Sequence, residues 1–153
     1  VAIPGGEPLL QVEFLKVLCM RLKKTGKRIY LDTNGTLPDA LGQVIEYVDT
    51  MALDFKIPSA TGERPLWREH EECLRIASAK EVFVKIVIDE NFAVHELTSC
   101  CNIIEKIDKN IPLVIQPSFG HPIPNLLEIQ KTALSLLNDV RILPQVHKYL
   151  KLP

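Results

Sequence analysis

A chain of 153 residues suits one domain, and a 46% share of apolar side chains is enough to bury a sizeable core. A formal net charge of -1 gives no electrostatic reason to bind nucleic acid directly or to sit on an anionic membrane. No apolar run reaches the length of a membrane span and no signal-peptide pattern is present, so the expectation is a soluble cytoplasmic protein.

The chain opens on VAIPGGEP, residues 1–8, where apolar residues run into a glycine pair, a carboxylate and a proline that announces a helix. That pattern is a strand ending in a tight, exposed turn. Glycines without Cβ let polar ligand atoms approach the backbone, and Glu7 offers an acceptor suited to an amine. Leu10, Phe14, Leu15, Leu18 and Leu22 follow at helical spacing, with Lys23, Lys24 and Gly26 supplying a basic last turn and a glycine stop.

RIYLDT, residues 28–33, reads as a strand leading into Asn34 and Gly35. Pro38 and Asp39 open a second helix carrying Leu41, Val44, Ile45 and Val48, and residues 50–55 are strand-like. A third helix is predicted over about 65–79, with Trp67, His70 and Leu74 on its inner face. VFVKIVI, inside residues 81–88, is the strongest strand signal in the chain.

A fourth helix is predicted over about 94–107 and a strand over 113–116. A loop rich in Pro and Gly, a fifth helix over about 125–138 and a last strand over 140–143 complete the chain. Cys19, Cys73, Cys100 and Cys101 have neither CxxC nor CxxxCxxC spacing, and each falls inside a predicted helix. They read as small buried hydrophobes rather than disulfides or metal ligands. The order βαβαβαβαβαβ, with strands too apolar to have a wet face, predicts parallel strands joined by right-handed crossovers. The fold class is α/β, an open or partly closed barrel, as a single domain over 1–153.

Ligands in such folds sit at the carboxyl ends of the strands, and here those ends are unusually polar. The first strand ends in Gly5, Gly6 and Glu7, the second in Asp32, Thr33, Asn34 and Gly35, the third in Asp54 and Lys56. The fourth carries Lys85 within its apolar run, the fifth ends in Gln116, and the last leads to Gln145 and His147. Each has a plainer reading taken singly: Asp32 opens an Asx turn, Asn34-Gly35 is a common loop dipeptide, Asp54 and Lys56 form a local ion pair. Lys85 resists that treatment, because a lysine in an apolar strand either faces an occupied polar centre or is costly to bury. As a set on one rim, these residues predict a functional site.

VAIPGGEPLLQ, LDTNG, ALDFK, FVKIVI and VRILPQVHK, in this order, resemble the radical S-adenosylmethionine enzymes, and the resemblance covers essentially the whole chain. DFKIPSATG, VIQP and PQVHKYLKLP are most similar to the 7-carboxy-7-deazaguanine synthase family, its archaeal-type members above all. The resemblance implies a partial (β/α)6 barrel that binds S-adenosylmethionine across its strand ends. Gly5, Gly6, Glu7 and Pro8 would then hold the methionine amino group and Lys56 the carboxylate. In glycyl-radical activating relatives, the positions of Asp32, Thr33 and Asp54 build a small cation site. Asn34, Ser59 and Lys85 fall where relatives approach S-adenosylmethionine, while Gln116, His147 and Pro153 fall where the synthases address a pterin-like substrate.

For the intact parent, the resemblance implies a reduced [4Fe-4S] cluster that splits S-adenosylmethionine to a 5′-deoxyadenosyl radical. That radical would convert 6-carboxy-5,6,7,8-tetrahydropterin to 7-carboxy-7-deazaguanine with Mg2+ assistance, a lyase-type step feeding deazapurine tRNA nucleosides, queuosine and archaeosine. An electron donor and a homodimer partner are further expectations. The departure is the CxxxCxxC loop such enzymes use to hold the cluster, which is absent from these 153 residues. GGEP ordinarily closes the second strand, so the chain reads as lacking the first βα unit and cluster loop, truncated at its N-terminus and inactive alone. A glycyl-radical activase and a non-catalytic ligand-binding pseudoenzyme are the alternatives.

Overall fold

The computed structural model describes residues 1–120 and 123–150. Six strands, β1 (Ala2–Ile3), β2 (Tyr30–Thr33), β3 (Thr50–Phe55), β4 (Glu81–Ile88), β5 (Leu113–Pro117) and β6 (Val140–Ile142), form one sheet in sequential order. Every pairing is parallel. Between them run α1 (Val12–Lys24), α2 (Pro38–Val44), α3 (Pro58–Thr61), α4 (Trp67–Ala77), α5 (Val94–Asp108) and α6 (Leu126–Leu134); α7 (Val146–Tyr149) follows β6.

A parallel sheet whose strands stay in sequence order needs each crossover to turn the same way, so its helices collect on one face. They do: α1 packs on α2, α2 on α4, α4 on α5 and α5 on α6. The strand residues facing them, Leu31, Leu53, Phe55, Val84, Ile86 and Ile115, are at most 1% exposed and form the core with Leu41, Leu74, Leu97 and Ile104. At about 25 cal/mol per Å² of apolar surface, this layer is the main source of stability.

The other face corrects the expectation of strands without a wet side. Tyr30, Asp32, Asp54, Phe83, Lys85, Val87 and Gln116 alternate with the core residues and are only half-buried. One-sided crossovers leave this face without a helical layer, so most of its residues stay half-buried, with Ala52 and Val114 the buried exceptions. The sheet is therefore covered by helices on one face and open on the other.

Local differences are small and have local causes. The turn after GGEP is a 3-10 helix, Pro8–Gln11, with Pro8 in its first turn, before α1 begins. The predicted second helix tightens to 3-10 at Ile45–Tyr47, and a short turn of helix, α3, stands where no element was expected. The four cysteines are free and buried, as their helical placement predicts. Burial pushes the thiols of Cys73 and Cys101 up to about 12 and that of Cys100 above its ordinary value. Such thiols stay protonated and make poor metal ligands. Among the described residues no helix is long and apolar enough to cross a membrane.

Candidate functional site

Strand register sets the site. Asp54 on β3 pairs level with Lys85 on β4, so parity aims both side chains at the open face, and Asp32 lies one level below on β2, opposite Ala52. Lys85 Nζ reaches between the two acids, 3.4 Å from Asp54 Oδ2 and 3.6 Å from Asp32 Oδ2. Lys56, just past β3, donates to the same Asp54 Oδ2 at 2.9 Å. Two ammonium groups thus converge on one carboxylate oxygen.

Burial pushes the Asp32 carboxyl above its ordinary value, against the pull of the Lys85 ammonium, and the neighbouring Asp54 pushes the same way as burial. Asp54 Oδ1 is buried and accepts no hydrogen bond. An orphan acceptor beside a cationic pair is costly in the free protein and is the kind of group a ligand's donor would satisfy.

Around these charges is a hollow of about 240 Å³ lined by Gly5, Gly6, Asp32, Thr33, Asn34, Asp54, Lys56 and Lys85. These residues come from the ends of β2 and β3, from the face of β4, and from the loop after β1. Gly5 and Gly6 sit at φ 88° and 49°, where an L side chain is strained, and nothing lies within 4 Å of where a Cβ would be. The glycines thus bring bare backbone to the rim with open space beyond it.

Glu7 is placed differently from the sequence reading, which set it toward a ligand amine. It does not line the hollow. Its Oε1 accepts from the Thr33 hydroxyl at 2.7 Å and the Leu9 N–H at 3.0 Å, and its Oε2 from the Asn34 N–H at 2.7 Å. Thr33 faces the helices and is 2% exposed, so its hydroxyl is spent on Glu7. Glu7 therefore clips the GGEP turn to the end of β2, and Pro8 directs the chain away into α1.

The remaining predicted residues divide. Ser59, in α3, does not reach the hollow: its N–H and hydroxyl both donate to the Glu96 carboxylate. Gln116 lies on the open face one level above Lys85, since Val87 is its registered neighbour, and lines a second hollow of about 520 Å³ that shares Lys85 with the first. Phe83, stacked at 6.5 Å on Tyr30, and Val114 line the sheet face there or beside it. Burial and the nearby Asp32 push the Tyr30 hydroxyl up to about 12, so it stays a neutral donor. His147 falls in α7, and Pro153 lies outside the described residues.

Two residues that support the site were not among those predicted for it, although His70 was expected on the inner face of its helix. Glu96, 3% exposed in the first turn of α5, holds α3, and His70, fully buried in α4, bonds to the backbones of Gly35 and Lys56. A Glu three residues into a helix is half of a capping-box signal. His70 leaves no signal beyond its place on an apolar helix face.

Among the described residues, no three or more His, Cys, Asp or Glu side chains are grouped to hold a metal ion. The two acids of the site already face ammonium groups. The hollow suits instead a small zwitterion or nucleoside, whose carboxylate meets Lys56 or Lys85 and whose donors meet glycine-turn backbone and Asp54 Oδ1.

No protein-family profile matches the chain. It is 38% identical over 160 residues to the 7-carboxy-7-deazaguanine synthase of Geobacter sulfurreducens, covering 98% of this chain and 62% of that protein. It is 34% identical over 154 residues to the synthase of Methanopyrus kandleri, covering 97% of this chain and 58% of that one. The chain thus spans about three fifths of the length of the relatives it matches. In structure it is similar to a domain of a pyruvate-formate lyase-activating enzyme from Bacteroides vulgatus, with a TM-score of 0.74, 17% identity, and coverage of 93% of this chain and 97% of that domain. That likeness shows a shared fold, a parallel α/β sheet with its helices on one face.

Proposed function

We infer, from a chain related along nearly its whole length to the 7-carboxy-7-deazaguanine synthases, that the rim hollow is the seat of S-adenosylmethionine and the neighbouring sheet face that of a pterin-like substrate. The parent enzyme would convert 6-carboxy-5,6,7,8-tetrahydropterin to 7-carboxy-7-deazaguanine. The observation that carries the reading is the convergence of the glycine turn, both acids and both lysines on one hollow at the carboxyl end of the sheet.

In this reading the backbone of Gly5 and Gly6 meets the methionine amino group, with Glu7 fixing their turn rather than accepting the amine itself. Lys56 meets the methionine carboxylate. Lys85, held between Asp32 and Asp54, keeps both carboxylates in place and marks the passage between the hollows, since it lines both. Asn34 closes the β2 side, its own side chain accepting from Thr36 N–H at 3.0 Å. Gln116 offers an amide to the edge of a flat heterocycle lying toward Phe83.

S-adenosylmethionine bound beside a reduced cluster supplies a carbon radical. The cluster does not fit the residues present: the four thiols are buried in helices and no CxxxCxxC occurs, so no step is derived through it. Among the described residues Mg2+ likewise finds no ready seat, since Asp32 and Asp54 face lysines. An electron-donor protein and a second copy of the chain complete the proposed partners. A glycyl-radical activase has only the shared fold in its favour, whereas the synthases match the sequence itself.

Titration of S-adenosylhomocysteine into the isotope-labelled chain tests the hollow, and spectra are preferred because binding without a cluster is expected to be weak. The amide resonances of Gly5, Gly6, Asn34 and Lys56 should move, and those of α1 should stay. No movement at saturating nucleoside, or movement confined to the helical layer, would overturn the assignment. Assay of the coding region extended upstream of Val1, for 7-carboxy-7-deazaguanine formed from the tetrahydropterin, tests the reaction.

A further inference from the structure

His70 lies outside the hollow, yet both of its ring nitrogens are engaged with segments that build the rim. The Lys56 backbone N–H donates to Nε2 at 3.1 Å. An Nε2 that accepts leaves the proton on Nδ1, which lies 3.0 Å from the Gly35 carbonyl oxygen and donates to it. The ring stacks on Phe55, with centroids 4.4 Å apart and planes 15° from parallel, and Trp67 tilts across it at 6.3 Å. Held between these side chains, it cannot swing.

The surroundings keep the ring neutral. Burial pulls its proton affinity below the ordinary value and outweighs the opposing pull of its bond to the Gly35 carbonyl and, after it, of Glu69 beside it in α4 and Asp54 on β3. Protonation would place a donor at Nε2 against the Lys56 N–H and break that bond. The fit at the other end is close: Gly35 has φ 65°, and a Cβ there would sit 3.4 Å from Nδ1.

We propose that His70 is a positioning residue: its neutral ring spans the Gly35 carbonyl and the Lys56 amide, and so fixes the gap between the Asn34–Gly35 turn and Lys56, which bound the hollow from β2 and β3. The inference takes the hollow to be the nucleoside seat argued above. An imidazole suits this role because one rigid plane donates at one corner and accepts at another. Asparagine can reproduce the Nδ1 corner and glutamine the Nε2 corner, so each variant should preserve one half of the link.

The test is a crossed pattern in amide spectra of the 153-residue chain without ligand. His70→Gln should leave the Lys56 resonance near its wild-type position and move that of Thr36, which follows the Gly35 carbonyl. His70→Asn should do the reverse, and His70→Phe should move both. Cys101→Ala, a core truncation in α5, should move neither.

In His70→Phe, affinity for S-adenosylhomocysteine should also fall about tenfold, as displaced binding groups do. If that variant does not fold, the Gln and Asn pair carries the test. Lys56 and Thr36 resonances that move together in every His70 variant, or not at all, overturn the proposal, as does unchanged affinity in His70→Phe where the wild type binds. A wild type that binds no nucleoside sinks the reading of the hollow, and the crossed pattern alone then decides for or against His70.

Discussion

Asp32 shows how a binding site differs from an ordinary surface. Its carboxyl is raised above the ordinary 3.8 by burial, with Lys85 only partly offsetting the loss of water. The native state therefore holds this proton to higher pH than the unfolded chain does. By linkage, stability falls as pH rises from 3.8 through the raised value, and the deficit persists at neutral pH. Asp32→Asn should accordingly stabilise the ligand-free chain at pH 7, by roughly 0.5 kcal/mol as functional-site substitutions commonly do. The gain should vanish below the ordinary value, where Asp32 is protonated in both states. Urea unfolding at pH 7 and at a pH well below 3.8 checks this, and a loss of stability at pH 7 would mean that the Lys85 pair outweighs desolvation. Asp54 Oδ1, buried without a partner, belongs to the same class of cost held in readiness for a ligand.

At the scale of elements, the rim is built by side chains that tie the end of one unit to the start of another. Glu7 clips the loop after β1 to the end of β2, and Glu96 ties α3, which follows β3, to the start of α5, which follows β4. Glu96 takes the Ser59 N–H at 2.8 Å, the Ser59 hydroxyl and, more loosely, the Ala93 N–H at 3.4 Å. α3 is only four residues long, too short to stand by its own hydrogen bonds, and it ends at Gly62 in the left-handed region. Glu96→Ala should release it: exchange of the Ser59 amide should speed up markedly, with a global cost of about 1–3 kcal/mol for the donors left without their charged acceptor. Hydrogen exchange with mass or spectral resolution separates the two effects. Protection of Ser59 that survives the substitution would show that α3 is held by its packing on β4 instead. Ser59 itself keeps its N–H and hydroxyl on Glu96 and stays outside the hollow.

For the molecule as a whole, the sheet is exposed at its first edge. β1 is two residues long and pairs with β2 alone, and the adjacent α1 region presents Leu10, Phe14, Val17 and Met20 at 41–73% exposure. An open strand edge beside an apolar helix stripe favours association with a second copy. The 153-residue chain should sediment with a concentration-dependent mass, and Phe14→Glu should return it toward monomer. A wild-type monomer at high concentration would overturn this. The parallel α/β class, the bounds of β3 and β4 and the polar strand ends were legible in the sequence, because strand periodicity and the residues that stop a strand are local properties. Asp54, Lys56 and Lys85 could be placed on one rim because ligand groups collect toward the carboxyl ends of parallel strands, whereas their shared face came from the register of β3 with β4. Which face of the sheet stays open was not legible, since it follows from the common hand of every crossover and from no single segment. Nor were the partners of Glu7, His70 and Glu96, which lie up to 27, 35 and 37 residues away along the chain. The amino-acid order by itself determined the polar groups available at the strand ends. Folding decided which of them face the hollow and which are spent holding it, because a hydrogen bond goes to the nearest donor in space, whatever its distance in sequence.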